Sequence, residues 1–303
     1  MKFAIVGAGA VGSNYAGELA RAGHEVRILA RGAHLDALVE RGLEVRGPDG
    51  TFTVRPHATG DAAALGAVDA VIVAVKAYSL AEVAPTVVRL AEAGALVLPL
   101  LNGVDIPTRL EAAGVPSERL LAGVTYISVA RVAPGVVERY SPFQRIRMGV
   151  AGGGTTPEAE AVAAALREAG VDAIASETAE VEIWRKLVFL ASFAGMCGLA
   201  RSAIGAVREA PYGRDVLRRA VAEAAAVARA RGVALPADEE ARAMAVIEEF
   251  PDTVKPSFLM DLEAGGPNEL DVLSGSVARL GREAGVATPV HDAIVAALSA
   301  RTA

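Results

Sequence analysis

The sequence predicts an α/β protein: a parallel-sheet domain at the N-terminus followed by an all-helical C-terminal domain. Three observations carry this. The chain has 303 residues, about twice the length of a typical single domain. Strand and helix patterns alternate through its first half, which implies right-handed crossovers and a sheet covered on both faces. After about Ser176 the strand patterns stop and helical segments take over, so the domains are read as residues 1–176 and 177–303.

The elements follow in order. Phe3-Ala4-Ile5-Val6 is a short apolar run ending at glycine, and Ser13–Ala22 reads as a helix closed by Gly23. Glu25–Ala30 is a second strand and Ala33–Arg41 a second helix. Leu43–Arg46 and Thr51–Arg55 flank Gly47-Pro48-Asp49-Gly50, a hairpin signal. Asp69–Val75 and Ala95–Leu100 are buried strands. Shorter β-prone stretches follow at Leu121–Val129, Val136–Tyr140 and Ile146–Val150, and Pro157–Glu168 is a helix. Glu177–Leu199 then reads as one long helix through Trp184 and Lys186. Arg214–Arg231, Asp238–Glu249, Glu269–Ala284 and Val290–Ala300 are further helical segments, separated by Gly or Pro.

Composition narrows the function class. Hydrophobic residues make up 52% and charged residues 22%, which excludes disorder. The net charge of −6, with no dense Lys/Arg tract, lacks the basic footprint of a nucleic-acid binder. Cys197 is the only cysteine, so a disulfide framework and a multi-thiolate zinc site are both excluded. No His/Cys/carboxylate cluster has metal-ligand spacing. The mean hydropathy of +0.37 prompts a search for membrane spans. The longest apolar run, Leu187–Ala200, is too short for one and reads as a buried helix. These features predict a cytoplasmic protein with neither a nucleic-acid nor a membrane partner.

Gly7-Ala8-Gly9-Ala10-Val11-Gly12 is a G-x-G-x-x-G that follows a strand and opens a helix. Gly7 permits the tight turn, Gly9 lets a pyrophosphate approach the backbone, and Gly12 lets helix and strand pack closely. The helix N-terminus presents unpaired N–H groups and a positive dipole end to the phosphates. The bland alternative is a purely structural turn, against which the strand–turn–helix context argues. At the end of the second strand an NAD-preferring site carries Asp or Glu, whereas this chain has Ala30-Arg31-Gly32. A guanidinium can grip a 2′-phosphate that a carboxylate would repel, so NADPH/NADP is the expected cofactor, with a solvated surface arginine as the alternative.

A nicotinamide enzyme must supply a proton donor near the carbonyl and an anchor for the substrate. His24, His34, His57 and His291 fall away from the C-terminal ends of the predicted parallel strands, so a histidine acid is disfavoured. Lys76 and Asn102 each follow a buried strand at the ligand-binding edge. Lys186 lies inside a long helix, bordered by apolar residues. A lysine there often snorkels to the surface, but the same low polarity would lower its pKa and make it a usable acid.

GAGAVGS at residues 7–13, Arg31 in ILARG, VAVKAY at 73–78, LNGV at 101–104, IWRKL at 183–187 and NELDVLSGS at 268–276 together resemble the ketopantoate reductases (2-dehydropantoate 2-reductases), over essentially the whole length. The resemblance implies an N-terminal Rossmann domain, a helical C-terminal domain, and an active site in the cleft between them. It also implies NADPH-dependent reduction of a small-molecule 2-keto acid, nominally 2-dehydropantoate to (R)-pantoate in pantothenate and coenzyme A synthesis. By resemblance, Lys186 matches the general acid, and Glu269 a carboxylate that binds the substrate hydroxyl and helps hold the lysine. Asn102 and Lys76 match residues near the nicotinamide, its ribose and the substrate, and Ser257 a hydroxyl near the substrate carboxylate. Dimers are common in the family, so a homodimer is compatible. Read without the family, Glu269 is an ordinary helix N-terminal acid and Ser257 a cap.

The chain departs from the family where asparagines follow the W-R-K-L motif on successive helical turns. Leu190 and Ala194 stand at those places. Two amides become apolar, which removes hydrogen bonds that select polar substrate groups. This leaves open a paralogue that keeps the mechanism and reduces another 2-keto acid. From a different class, a non-catalytic NADP-binding regulator is the further alternative, against which Lys186 and Glu269 argue.

Overall fold

The computed structural model describes residues 1–300. It divides into two compact units: Met1–Leu101 with Ile106–Glu180, and Asn102–Asp105 with the chain from Val181 onward.

The first unit runs β1 (Lys2–Val6), α1 (Ala10–Arg21), β2 (Glu25–Leu29), α2 (Gly32–Arg41), β3 (Leu43–Gly47), β4 (Gly50–Val54), β5 (His57–Thr59), β6 (Ala70–Val73), α3 (Leu80–Glu92) and β7 (Leu96–Pro99). It continues with α4 (Ile106–Ala112), β8 (Leu121–Tyr126), β9 (Val129–Ala133), β10 (Val136–Arg139), β11 (Arg145–Val150), α5 (Pro157–Glu168) and β12 (Asp172–Ala175). Its main sheet has the order β5-β2-β1-β6-β7, and every pairing is parallel. Phe3–Val6, Ala70–Val73 and Leu96–Pro99 are buried on both faces, which is why they read as unbroken apolar runs rather than alternating ones. Pro99 is tolerated because β7 is the edge strand of this sheet. The strand order reverses at β1, between β2 and β6. In open α/β sheets, the crevice at the carboxyl ends of such strands is the usual ligand site.

Two smaller sheets complete the unit, ordered β4-β3-β10-β9 and β12-β11-β8. The hairpin is found where Pro48-Asp49 predicts it, with β3 and β4 antiparallel and Gly47 opposite Gly50. The stretch Leu121–Val129, expected as one strand, is instead divided between β8 and β9, which belong to different sheets. The break falls at Ser128, whose N–H donates to Ser141 Oγ (3.0 Å) and whose carbonyl accepts from Tyr140 N (2.8 Å). α1 buries polar groups as well as apolar ones. Asn14 Nδ2 donates to Gln144 Oε1 (2.8 Å), and Gln144 Nε2 to Glu18 Oε1 (3.1 Å). Such pairing is the condition for burying amides and a carboxylate.

The second unit is built on α6 (Ala179–Ala200), whose first two residues lie in the first unit. Around it are α7 (Ile204–Glu209), α8 (Gly213–Ala230), α9 (Glu239–Glu249), α10 (Ser257–Glu263), α11 (Ser274–Ala284) and α12 (Pro289–Ser299). α6 is long and apolar enough to cross a membrane, but 67% of its apolar stretch is buried within the protein, the mark of a core helix. Its glycines are packing devices. A Cβ on Gly195 would stand 2.7 Å from Ser274 Oγ, and one on Gly198 would stand 2.7 Å from the Phe258 ring, so α10 and α11 approach closely there. α7 and α10, with six and seven residues, are too short to leave a periodic signal. Burial pushes the Cys197 thiol up to about 12, which makes it a packing residue rather than a nucleophile.

The segment Glu269–Ala284, expected as a single helix, is helical only from Ser274. Asn268 Oδ1 accepts from Leu270 N (3.0 Å), and Gly275 N donates to Leu270 O (2.8 Å). A side-chain turn thus competes successfully with the helix at its start.

His291 is fully buried on α12, with Nε2 3.0 Å from Ala220 O. Burial holds its pKa down to about 4. Between that value and the ordinary histidine value near 6.5, the unfolded chain binds the proton and the folded chain does not. Stability is therefore complete above about pH 6.5 and falls as pH drops toward 4, by on the order of 3 kcal/mol at most. Denaturant titrations at pH 7.5 and 5 check this, and His291→Gln should flatten that part of the dependence.

Candidate active site

The glycine turn joins β1 to α1 at the reversal point of the main sheet. Gly7 has φ +108°, and a Cβ there would stand 2.6 Å from the backbone of Ala74 and Val75. A Cβ on Gly12 would stand 2.0 Å from Gly7 O and 3.1 Å from Ile5 Cγ2, so helix and strand touch through this residue. Gly9 differs, because a Cβ there would meet nothing nearer than Ala74 O at 3.8 Å. The space beside its backbone is open. Gly9 caps α1 without a side-chain hydrogen bond, and the first turn holds no acidic residue. Ala8 is buried, and Ala10 and Val11 are half-buried in the opening turn. This is a bare helix N-terminus suited to an anion.

Arg31 is the N-cap residue of α2, exposed beyond the end of β2. Its Nη1 donates to Glu82 Oε1, a partner contributed by the first turn of α3. Lys76 is half-buried and lies three residues past β6, at the start of a short 3₁₀ turn, Ala77–Ser79. The strand is shorter than expected there because the chain at Ala74–Val75 turns across the face of Gly7.

The second unit gathers the other candidates. Glu269 is 3% exposed, held in the irregular segment ahead of α11. Asn102 Nδ2 donates to Glu269 Oε2 (3.1 Å), although the two are 167 residues apart. Asn102 follows β7 of the first unit, yet residues 102–105 belong to the second. Val104 packs on the second unit's core, and Asp105 Oδ2 accepts from Arg279 Nη2 of α11 (2.6 Å). Lys186 projects from α6 between the buried Trp184 and Leu187. Burial lowers its pKa to about 8, and the charge of Glu269 pulls in the opposite direction. The result is an ammonium that is still protonated at neutral pH and can release its proton readily. Such a group is a competent general acid for a developing alkoxide.

Ser257 opens α10 after Pro256 and is exposed, and no hydrogen bond joins it to Lys186, Glu269 or Asn102. Ala194 is fully buried in the second core, and Leu190 is half-buried against it. The nearest hydroxyl on that stretch, Ser192, donates to its own helix at Val188 O (2.9 Å). Glu82, Asp105 and Arg279 were not foreseen from the sequence. Their pairings span 51 and 174 residues, and no local pattern announces them. Among the described residues, no group of three or more His, Cys, Asp or Glu side chains could hold a metal ion.

Comparison with known proteins gives a consistent picture. Residues 3–153 match the family described as ketopantoate reductase PanE/ApbA, and residues 178–302 match the C-terminal part of that family. A 2-dehydropantoate 2-reductase of Halobacterium salinarum is 33% identical over 292 residues, covering 96% of this chain and 95% of that protein. The crystal structure of 2-dehydropantoate 2-reductase from Geobacter metallireducens GS-15 superposes with a TM-score of 0.92 at 28% identity, covering 100% of both chains. The ternary structure of D-mandelate dehydrogenase with NADH and anilino(oxo)acetate gives 0.89 at 25% identity, covering 100% of this chain and 98% of that one. With both halves matched in order, this chain is an oxidoreductase that belongs to the ketopantoate reductase family.

Proposed function

We propose that the protein reduces a 2-keto acid to the 2-hydroxy acid with NADPH. The observation that carries this is the grouping of the half-buried Lys186 and Asn102 with the buried Glu269, with the lysine at about 8. The first unit fits a dinucleotide: Gly9 leaves its backbone open, the first turn of α1 is free of acidic residues, and Arg31 is exposed at the second strand's end. Residues Gly7–Gly12 would hold the pyrophosphate, Arg31 the 2′-phosphate, and Lys76 and Asn102 the nicotinamide end and the substrate. The nicotinamide, when bound, supplies the hydride that adds to the carbonyl carbon. Lys186 holds a proton at Nζ and delivers it to the carbonyl oxygen as charge develops there. Glu269 keeps that ammonium charged and accepts from a substrate hydroxyl, while Asn102 fixes the orientation of the carboxylate. Ser257 donates to the substrate carboxylate. One proton is consumed per turnover, and Lys186 recovers it from solvent. We place the reaction in the cytoplasm, with 2-dehydropantoate as the nominal substrate and pantothenate synthesis as its setting.

Leu190 and Ala194 favour a second reading, in which the keto acid carries an apolar substituent. Without amides at 190 and 194 the helix offers no side-chain hydrogen bond there to a polar substrate group. Membership in one structural group with a D-mandelate dehydrogenase is consistent with that substrate class.

The pH profile tests the assignment of Lys186. With the acid at about 8, kcat/KM for reduction is level below that pH and falls tenfold per unit above it. Oxidation of the hydroxy acid needs the neutral amine as base, so its rate rises through the same value. A reduction profile that stays flat from pH 7 to 10 would overturn the assignment.

A further inference from the structure

We propose that Glu82 sets how strongly this protein prefers NADPH over NADH, by competing with the adenosine 2′-phosphate for Arg31. The inference rests on the reading of Arg31 as the 2′-phosphate contact. Arg31 and Glu82 form an ion pair at the end of β2, with side chains 67% and 57% exposed. A pair so open to solvent is weak and screened, so it separates at small cost. Glu82 stands in the first turn of α3, where the helix dipole favours an acid, and Arg31 carries the longer of the two side chains.

A 2′-phosphate brings close to two negative charges to this place, and a 2′-hydroxyl brings none. To grip the phosphate, Arg31 must leave Glu82 or share itself with it, and the carboxylate then repels the phosphate across a short distance. A nucleotide with a free 2′-hydroxyl meets neither penalty. For that nucleotide Glu82 is an acceptor, the function an acidic residue serves in NAD sites. Arg31 supplies the attraction toward NADPH and Glu82 the opposing repulsion, and coenzyme choice is the difference between them. The two residues lie 51 positions apart on separate elements, so neither strand-end composition nor the glycine turn reveals the pair.

The test is fluorescence titration of NADPH and NADH against the wild type, Glu82→Gln, Arg31→Ala and the double variant, with no keto acid present. Glu82→Gln should tighten NADPH by about 3- to 10-fold and leave NADH unchanged or weaker. Arg31→Ala should weaken NADPH by about tenfold or more with little change for NADH. In the Arg31→Ala background, the part of the Glu82→Gln gain that comes from freeing the guanidinium should vanish, leaving only the part due to direct repulsion. If Arg31→Ala weakens NADPH selectively while Glu82→Gln moves both nucleotides equally or neither, the Glu82 proposal fails alone. If Arg31→Ala weakens both nucleotides equally, the 2′-phosphate reading fails and takes this proposal with it.

Discussion

Lys186→Ala is expected to lower kcat for keto-acid reduction by about 10²-fold or more while NADPH affinity stays nearly unchanged. The glycine turn and Arg31 belong to the first unit, and Lys186 projects from α6 within the second. Removing the ammonium takes away both the charge that stabilises the alkoxide and the proton that neutralises it. Lys186→Arg separates those two parts. A guanidinium keeps the charge but holds its proton too tightly to act as an acid. That variant should remain slow and lose the break in the pH profile near 8. Wild-type rates in either variant, from stopped-flow absorbance of NADPH, would remove Lys186 from the chemistry.

Gly12→Ala should destabilise the first unit severely, by about 3 kcal/mol or more, because the added Cβ meets backbone that cannot move aside. The atom in its way is Gly7 O at 2.0 Å, with Ile5 behind it at 3.1 Å. Thermal unfolding reads this directly. Gly9→Ala is the companion measurement. Gly9 has an ordinary φ of −75° and open space beside it, so the fold should survive. The methyl group would occupy the place of the pyrophosphate, and NADPH affinity should fall by about tenfold or more. Loss of stability with normal affinity in Gly9→Ala would mean that the open space serves packing and no nucleotide lies there.

The sequence makes β1, β6 and β7 of the main sheet legible because they are buried on both faces, whereas the three-residue, partly exposed β5 leaves no signal. The long helix through Lys186 is equally plain, since an apolar run of that length without proline has few other outcomes. What it hides are events decided by side chains distant in sequence or by small local competitions. The start of α11 moved from Glu269 to Ser274 because one Asn268 side chain accepts from a nearby N–H. That shift frees Glu269 from a helix surface and leaves it buried, bonded to Asn102. Asn102 itself reads as the end of a Rossmann strand. It is Asp105, through its pairing with Arg279, and Val104, through apolar packing, that assign its segment to the second unit. The Arg31–Glu82 pair is of the same kind: each residue is ordinary alone, and only the fold makes them neighbours.

The most direct test of the central claim is the loss of NADPH absorbance with 2-dehydropantoate beside a panel of other 2-keto acids, aromatic ones included, for wild type and Lys186→Ala in parallel. The account predicts saturable turnover of at least one 2-keto acid by the wild type, faster with NADPH than with NADH, and its near abolition in the variant. Fast turnover of 2-dehydropantoate would show that Leu190 and Ala194 are tolerated, and a preference for an apolar keto acid would support the second reading. Tight NADPH binding with no turnover of any 2-keto acid, or a Lys186→Ala enzyme as fast as the wild type, would contradict the account.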